Sequence, residues 1–203
     1  MTTAPQQPTS RLPAAERRQA ILDAALHVFS AGSYSGATTA QIAKEAGVSE
    51  PILYRHFGSK RELYLACLDE AWRRLRESFE EAAAEHGEQR AIQLLARTGG
   101  KHRLRELTAN LWMQAVTEAG SDEVIAAHLR THLREVHDYV AAIMRRLQEA
   151  GVVAADREPD AEAWIVVAGA LLFGVANRVG GLLAPADFAA ISEQRQRWLK
   201  SRP

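Results

Sequence analysis

The residues with the most chemistry to offer lie between Thr38 and Lys60. Ile52, Tyr54, Arg55 and His56 fall close together. On a helix, Leu53 and Phe57 are four apart and face a core, which leaves Ile52, Arg55 and His56 outside and Tyr54 at the margin. An exposed face of that make-up is odd as a merely solvated surface. It suits a major groove, where a guanidinium bonds guanine edges or a phosphate and an apolar side chain meets a thymine methyl. Thr39 and Lys60 stand where helices open, and there free backbone N–H groups take phosphate oxygens. Lys60 adds a full charge, and the Thr39 and Tyr54 hydroxyls are further phosphate donors.

Other constellations carry less. His128 and His132 are four apart, with His137 beyond. That spacing binds zinc when further ligands join, but no third ligand has supporting spacing, so neither a metal nor a cofactor is expected. A polar helix flank is the alternative, or one histidine lining a pocket. Cys67 is the single cysteine; it excludes an internal disulfide and reads as a small buried hydrophobe. There is no Gly-rich phosphate loop, no Gly-x-Ser-x-Gly elbow and no His-Glu-x-x-His. Nothing clusters as acid, base or nucleophile, so an enzyme is not expected.

The elements that position Thr38–Lys60 follow from periodicity and punctuation. Residues 1–12, with Thr, Ser, Gln and two prolines, read as a disordered arm. From Pro13, a helix-period run through Ile21, Leu22, Ala25, Val28 and Phe29 stops at Gly32. Thr38 and Gln41 have capping-box spacing, and Gly47 suits the left-handed turn that ends a helix. Ser49 is placed to cap a second short helix, 50–57, with Pro51 tolerated in its first turn. Ser59 and Glu62 open a long helix to about Ala84. Weaker helices are expected near 88–98 and 102–119. A strong one runs from a Ser121 cap to Ala150, another follows Pro159 to about Val179, and a last one spans Pro185 to about Lys200. No strand pattern appears. The expectation is all-α, about nine helices: a helix-turn-helix domain over 13–59 and a larger helical domain over 60–203.

Composition permits this without demanding it. The 203 residues carry 25 basic and 25 acidic side chains. Residues 1–60 hold +2, and the remaining 143 hold −2. Met1 to Arg11 lacks the apolar region of a signal peptide. The longest uncharged apolar stretch, Ala163 to Asn177, has 15 residues, against roughly 20 for a spanning helix. The expectation is a cytoplasmic protein with no membrane partner.

The spacing Arg18-x-x-Ile21-Leu22-x-x-Ala25, Phe29-x-x-Gly32, Thr38-Thr39-x-x-Ile42-Ala43-x-x-Ala46-Gly47-Val48-Ser49, Leu53-Tyr54-x-His56-Phe57-x-Ser59-Lys60-x-x-Leu63 resembles the tetracycline-repressor (TetR) family of bacterial regulators. The likeness covers about residues 13–65. The loop Ser33–Ala37 departs from the pattern, one residue longer, with its aromatic at Tyr34 displaced. The resemblance implies an all-helical homodimer that binds double-stranded operator DNA through its first three helices, most often as a repressor, and is released by a small-molecule effector. It implies phosphate contacts from Thr39, Tyr54 and Lys60, and groove-facing positions for Glu50, Pro51, Ile52, Arg55 and His56. Thr38 and Ser49 complete the candidate DNA-contact set.

For the rest of the chain two roles stay open. Trp72, Phe79, Leu104, Leu111, Trp112, Met113, Tyr139, Trp164 and Phe173 fit either core packing or the wall of an apolar ligand pocket. Gly169, Ala170 and Gly174 on one helix, and Phe188, Ile191 and Trp198 on the next, fit a dimer interface in which small residues let helices approach. Packing within one subunit is the alternative.

Overall fold

The computed structural model describes residues 13–91 and 102–200. The expected arm at 1–12 and the 92–98 part of a weak helix lie outside these. The described residues form helices and turns with no strand. In order they are α1 (Ala14–Ala31), α2 (Thr39–Glu45), α3 (Glu50–His56), α4 (Lys60–His86), α5 (88–91 within the described residues), α6 (His102–Glu118), α7 (Glu123–Glu149), α8 (Pro159–Val179) and α9 (Pro185–Lys200). The chain divides into two compact units, Met1–Leu63 and Tyr64–Pro203, so the division falls just inside α4 rather than before it.

In the first unit α1, α2 and α3 pack on one another. Ile21, Leu22, Ala25, Val28 and Phe29 of α1 meet Ile42 and Ala43 of α2 and Leu53 and Phe57 around α3, all buried. Helices of seven residues are not stable alone in water, and this shared core supplies what their length does not. The ends are closed locally. The Gln41 N–H donates to Thr38 Oγ1 at 3.1 Å. Gly47 takes φ 67°; its N–H donates to the Lys44 carbonyl and that of Val48 to the Ala43 carbonyl, a Schellman closure that needs the left-handed residue. Ser49 makes no side-chain cap bond, unlike the expectation.

In the second unit α8 packs against α6 and α7, and α6 against α7. The Tyr64 hydroxyl donates to the Leu111 carbonyl at 2.8 Å, tying α4 to α6. The cap of α7 is Asp122, which accepts from the Val124 and Ile125 N–H groups; Ser121 instead bonds back to the Glu118 carbonyl. Asp122 wins because its carboxylate takes two donors and faces the positive helix end. A second cluster joins Phe79, Ala82, Ala91, Ile143, Met144, Leu147 and Val153.

α8 is long and apolar enough to cross a membrane by length and composition, which the 15-residue count did not suggest. Its packing gives another account. Glu162 is buried, pairs with Arg195 of α9 and accepts from Trp198 Nε1 at 3.1 Å. Its apolar residues divide between a face packed on α6 and α7 and an exposed face.

Gly174 corrects one expectation. A Cβ there would stand 2.7 Å from Met113 Cγ and 3.0 Å from the Ala109 carbonyl, so this glycine lets α8 approach α6 within one chain and does not face a partner. Gly169 has open space. Gly174→Ala is expected to cost about 1–3 kcal/mol by overpacking. The loss shows as a lower thermal midpoint with oligomeric state unchanged.

Candidate nucleic-acid interface

Arg55 and Pro51 are exposed, Ile52 and His56 half-buried, and Tyr54 exposed, so the face of α3 away from Leu53 is open to a groove as the helical spacing demanded. Ser49 and Thr38 are exposed beside it. Arg18 of α1 lies 4.6 Å from the Phe57 ring centroid, which braces the end of α3.

Glu50 and Thr39 behave differently from the reading of them as open contacts. The buried Thr39 hydroxyl donates to the Glu50 carboxylate and lies 3.1 Å from the Tyr54 hydroxyl. Thr39 has one hydroxyl hydrogen, so with that committed to Glu50, Tyr54 is the donor to Thr39. The three side chains form a clasp between α2 and α3. Glu50 therefore holds the turn rather than facing outward, and the Tyr54 proton is engaged within the protein. Nothing in the helical period marks this, because the three residues are separated by the turn.

Lys60 is also held. Its Nζ stands 4.7 Å over the Tyr34 ring and donates to the Ser35 carbonyl at 3.4 Å. Tyr34 stacks on Phe29, centroids 6.1 Å apart. The long loop is itself a turn closed by Ser33, whose carbonyl accepts from Ala37 N–H and whose hydroxyl accepts from Gly36 N–H, both at 3.0 Å. The displaced aromatic thus positions a cation at the start of α4. There Glu62 N–H donates to Ser59 Oγ at 3.0 Å while Gly58 N–H donates to Glu62 Oε2 at 2.9 Å.

In the second unit the sequence-expected pocket residues divide. Trp72, Phe79 and Tyr139 line one cavity of about 250 Å³ together with Arg76, Arg105 and Val166. Tyr139 meets Trp72 and Phe79 edge-on, at 5.5 and 6.1 Å. Leu104, Leu111, Trp112, Met113, Trp164 and Phe173 are not in this lining. Leu111 and Trp112 are core, Met113 abuts Gly174, and Trp164 stacks on His137 at 4.5 Å. Phe173 packs against Phe188 and under the Arg105 guanidinium, so Phe188 serves the subunit's own packing. Burial pushes Arg105 below its ordinary pKa. Burial first, then Glu80, pushes Tyr139 up to about 12, so it remains a donor to Glu80 at 3.3 Å.

The histidines acquire a partner that spacing along one helix did not reveal. Asp69 of α4 lies 2.8 Å from His128 Nε2 and 3.3 Å from His132 Nδ1, so three potential metal ligands converge. The buried Trp112 Nε1 donates to His132 Nε2 at 3.0 Å. An indole N–H only donates, so His132 Nε2 is the lone-pair atom and Nδ1 carries the hydrogen that faces Asp69. That tautomer offers no lone pair to a metal beside Asp69. The group is a hydrogen-bond relay joining α4, α6 and α7. His137 lies apart from it, its Nε2 3.1 Å from the Asp160 carbonyl oxygen of α8.

A sequence model described as "Bacterial regulatory proteins, tetR family" matches residues 21–67, from the middle of α1 into α4. Over this segment the chain is similar to the TetR family of bacterial transcriptional regulators. Among curated relatives, the HTH-type transcriptional activator FasR of Mycolicibacterium smegmatis is 54% identical over 59 residues, 29% of this chain and 27% of that protein. The HTH-type transcriptional regulator BetI of Brucella suis biovar 1 is 29% identical over 135 residues, 64% of this chain and 67% of that protein. The TetR fold extends further than sequence likeness. A regulatory protein TetR from Rhodobacter sphaeroides superposes with TM-score 0.73 at 22% identity, covering 90% of this chain and 98% of that one. A TetR-family regulator from Cytophaga hutchinsonii gives 0.74 at 13% identity, covering 94% and 96%. The high identity is confined to one short segment in the first unit, while the likeness to solved structures extends over the fold.

Two outcomes follow from these contacts. Thr39→Val removes the centre of the clasp and is expected to cost about 1 kcal/mol, with faster amide exchange in α2 and α3. For the relay, burial alone would raise Asp69, but the hydrogen bonds of His128 and His132 and the charge of His128 outweigh it and hold it at about 2, below its ordinary 3.8. The Asp69 bond, against desolvation and with help from the Asp69 and Glu135 charges, raises His128 above its ordinary 6.5. The raised histidine stabilises fully below pH 6.5 and loses this as pH rises through its folded value. The lowered carboxyl stabilises above pH 3.8 and loses this as pH falls toward 2. His128→Gln should therefore lower the denaturation midpoint most between about pH 4 and 6.5 and least in alkali.

Proposed function

We propose that this chain binds a near-palindromic operator as a homodimer, represses from it, and is released by a small-molecule effector taken up in the second unit. The open α3 face, with Arg55 and Ile52 outward above a clasped turn, is the observation that carries the DNA-binding reading. Arg55 and Ile52 read base edges, with Pro51 and His56 flanking them. Lys60, Tyr54, Thr38 and Ser49 contact the backbone, and Tyr54 exchanges its bond to Thr39 for a phosphate. Glu50 and Thr39 set the helix angle.

The dimer reading is supported by apolar side chains left exposed on the last two helices. Trp164, Ile165 and Leu172 of α8, and Ile191 and Trp198 of α9, are each between 42% and 50% exposed. Gly169 and Ala170 lie on the same stretch of α8, and the open space at Gly169 suits a close helix from a second copy. A two-fold dimer presents two recognition helices about 34–36 Å apart, or somewhat more, on one face of DNA. The effector reading rests on the aromatic cavity beside α4. Its coupling to DNA affinity would be of the usual size, about 1–3 kcal/mol. The chain would work in the cytoplasm, where its DNA is. The FasR match names an activator, and the place of the operator relative to the promoter decides the sign for that shared DNA-binding segment.

Fluorescence anisotropy on duplex from upstream of the gene, at several salt concentrations, tests the proposal. The wild type should bind two protomers per site and show sequence preference. Lys60→Ala should weaken all sequences alike and reduce the salt slope by about one per subunit. Arg55→Ala should instead change preference at one or two symmetric positions, by about 1–3 kcal/mol each. Intact, helical protein that ignores duplex DNA at low salt would overturn the reading.

A further inference from the structure

The loop between α1 and α2 does more than connect them. It holds the added residue by which this segment departs from the TetR spacing, and Ser33 folds that surplus into a closed turn through its carbonyl and its hydroxyl. A Cβ at Gly36 would stand 2.9 Å from Ser33 Oγ, so the closure is fitted to glycine. The turn sets Tyr34, half-buried, on the fully buried Phe29 of α1, with the two ring planes 27° apart. Lys60 Nζ lies 4.7 Å from the centroid of the same Tyr34 ring, and the Ser35 carbonyl accepts from it at 3.4 Å. All of these residues belong to the first unit, Met1–Leu63. An ammonium is attracted to the negative face of an aromatic ring. A lysine head sits on a flexible stem with much rotamer freedom, and a head held in advance loses less of it on gripping a phosphate.

We infer that Tyr34 is a positioning residue for DNA binding: anchored on Phe29, its ring holds the Lys60 ammonium at the opening of α4 in the attitude that meets a phosphate, without itself touching DNA. This rests on the reading of Lys60 as a backbone contact and adds the residue through which the loop sets the strength of that contact. Phosphate is common to every sequence, so Tyr34 governs how tightly any duplex is held and leaves base preference to Arg55 and Ile52. The ring face is the working part and the hydroxyl is not needed. A Tyr34 that only filled space over Phe29 would instead matter to the same degree whether or not Lys60 were present.

Full-length protein and duplex from upstream of the gene separate these roles in a double-mutant cycle, read by fluorescence anisotropy across salt concentrations. Tyr34→Leu keeps an apolar side chain beside Phe29 but removes the ring. It should weaken every duplex by about two- to fivefold per subunit and lower the salt slope toward that of Lys60→Ala. In a Lys60→Ala background the same change should alter affinity by less than about twofold. Tyr34→Phe should behave as the wild type. A full-sized loss in the Lys60→Ala background, a salt slope unmoved by Tyr34→Leu, or a Tyr34→Phe protein as weak as Tyr34→Leu overturns the inference. A second measurement decides even if Tyr34→Leu fails to fold. The chain has four lysines, so lysine-selective 13C labelling of the wild type gives few ε-methylene signals. That of Lys60 should be shifted upfield by the ring and stay so on DNA. An unshifted signal, or a shift lost in the complex, means that the lysine meets the phosphate away from the ring and overturns the inference too. Wild-type protein that ignores duplex DNA, or Lys60→Ala protein that binds unchanged, overturns the Lys60 reading and this one with it. Lys60→Ala weakened beside an unaffected Tyr34→Leu overturns this one alone.

Discussion

A helix of two turns has too few internal hydrogen bonds to offset the cost of starting it, and this chain places two such helices in succession at its most informative segment. Everything in the first unit answers that constraint. α1 supplies a continuous apolar face, Gly47 permits the tight reversal, and Thr39, Glu50 and Tyr54 bond the two short helices to each other. The outward face of α3 can be devoted to Arg55, Ile52 and Pro51 because the inward face and the clasp have already fixed its direction. Recognition side chains on a rigid element lose less entropy on binding than the same side chains on a loop.

The second unit is built on different economics of contact. Its helices are longer, and several buried polar groups are bonded across helices: Tyr64 to the Leu111 carbonyl, Trp112 through His132 to Asp69, Trp198 to Glu162. These bonds tie α4, α6 and α7 together and α8 to α9, while the space around Trp72 and Tyr139 is left unfilled. A cavity costs stability, and the relay and the α8–α6 approach at Gly174 are among the contacts that offset it.

What could be read in the sequence was whatever is local. Thr38, Gly47, Ser59 and Pro159 act within a turn of themselves, so the helix boundaries around them were legible, and the Leu53–Phe57 interval was enough to say which face of α3 is open. Asp69 meeting His128 and His132, Gly174 meeting Ala109, and Tyr34 meeting Lys60 depend on three-dimensional neighbours, which one sequence does not disclose. The pocket residues show the same limit: aromatic type marked Trp72, Phe79 and Tyr139, but equally marked Trp112, which is core. Arg76 and Arg105 escaped notice because charged residues on a helix usually face water, and only the folded arrangement turns them toward a shared space.

All four tryptophans, Trp72, Trp112, Trp164 and Trp198, lie beyond residue 63. Trp72 lines the cavity, Trp112 is buried in the relay, and Trp164 and Trp198 are about half open to solvent. Indole emission from this protein is therefore silent about the first unit and reports the second through environments of contrasting polarity. Quenching by a soluble agent would reach Trp164 and Trp198 first, so anything that covers the exposed side of α8 and α9 would be visible without an added dye.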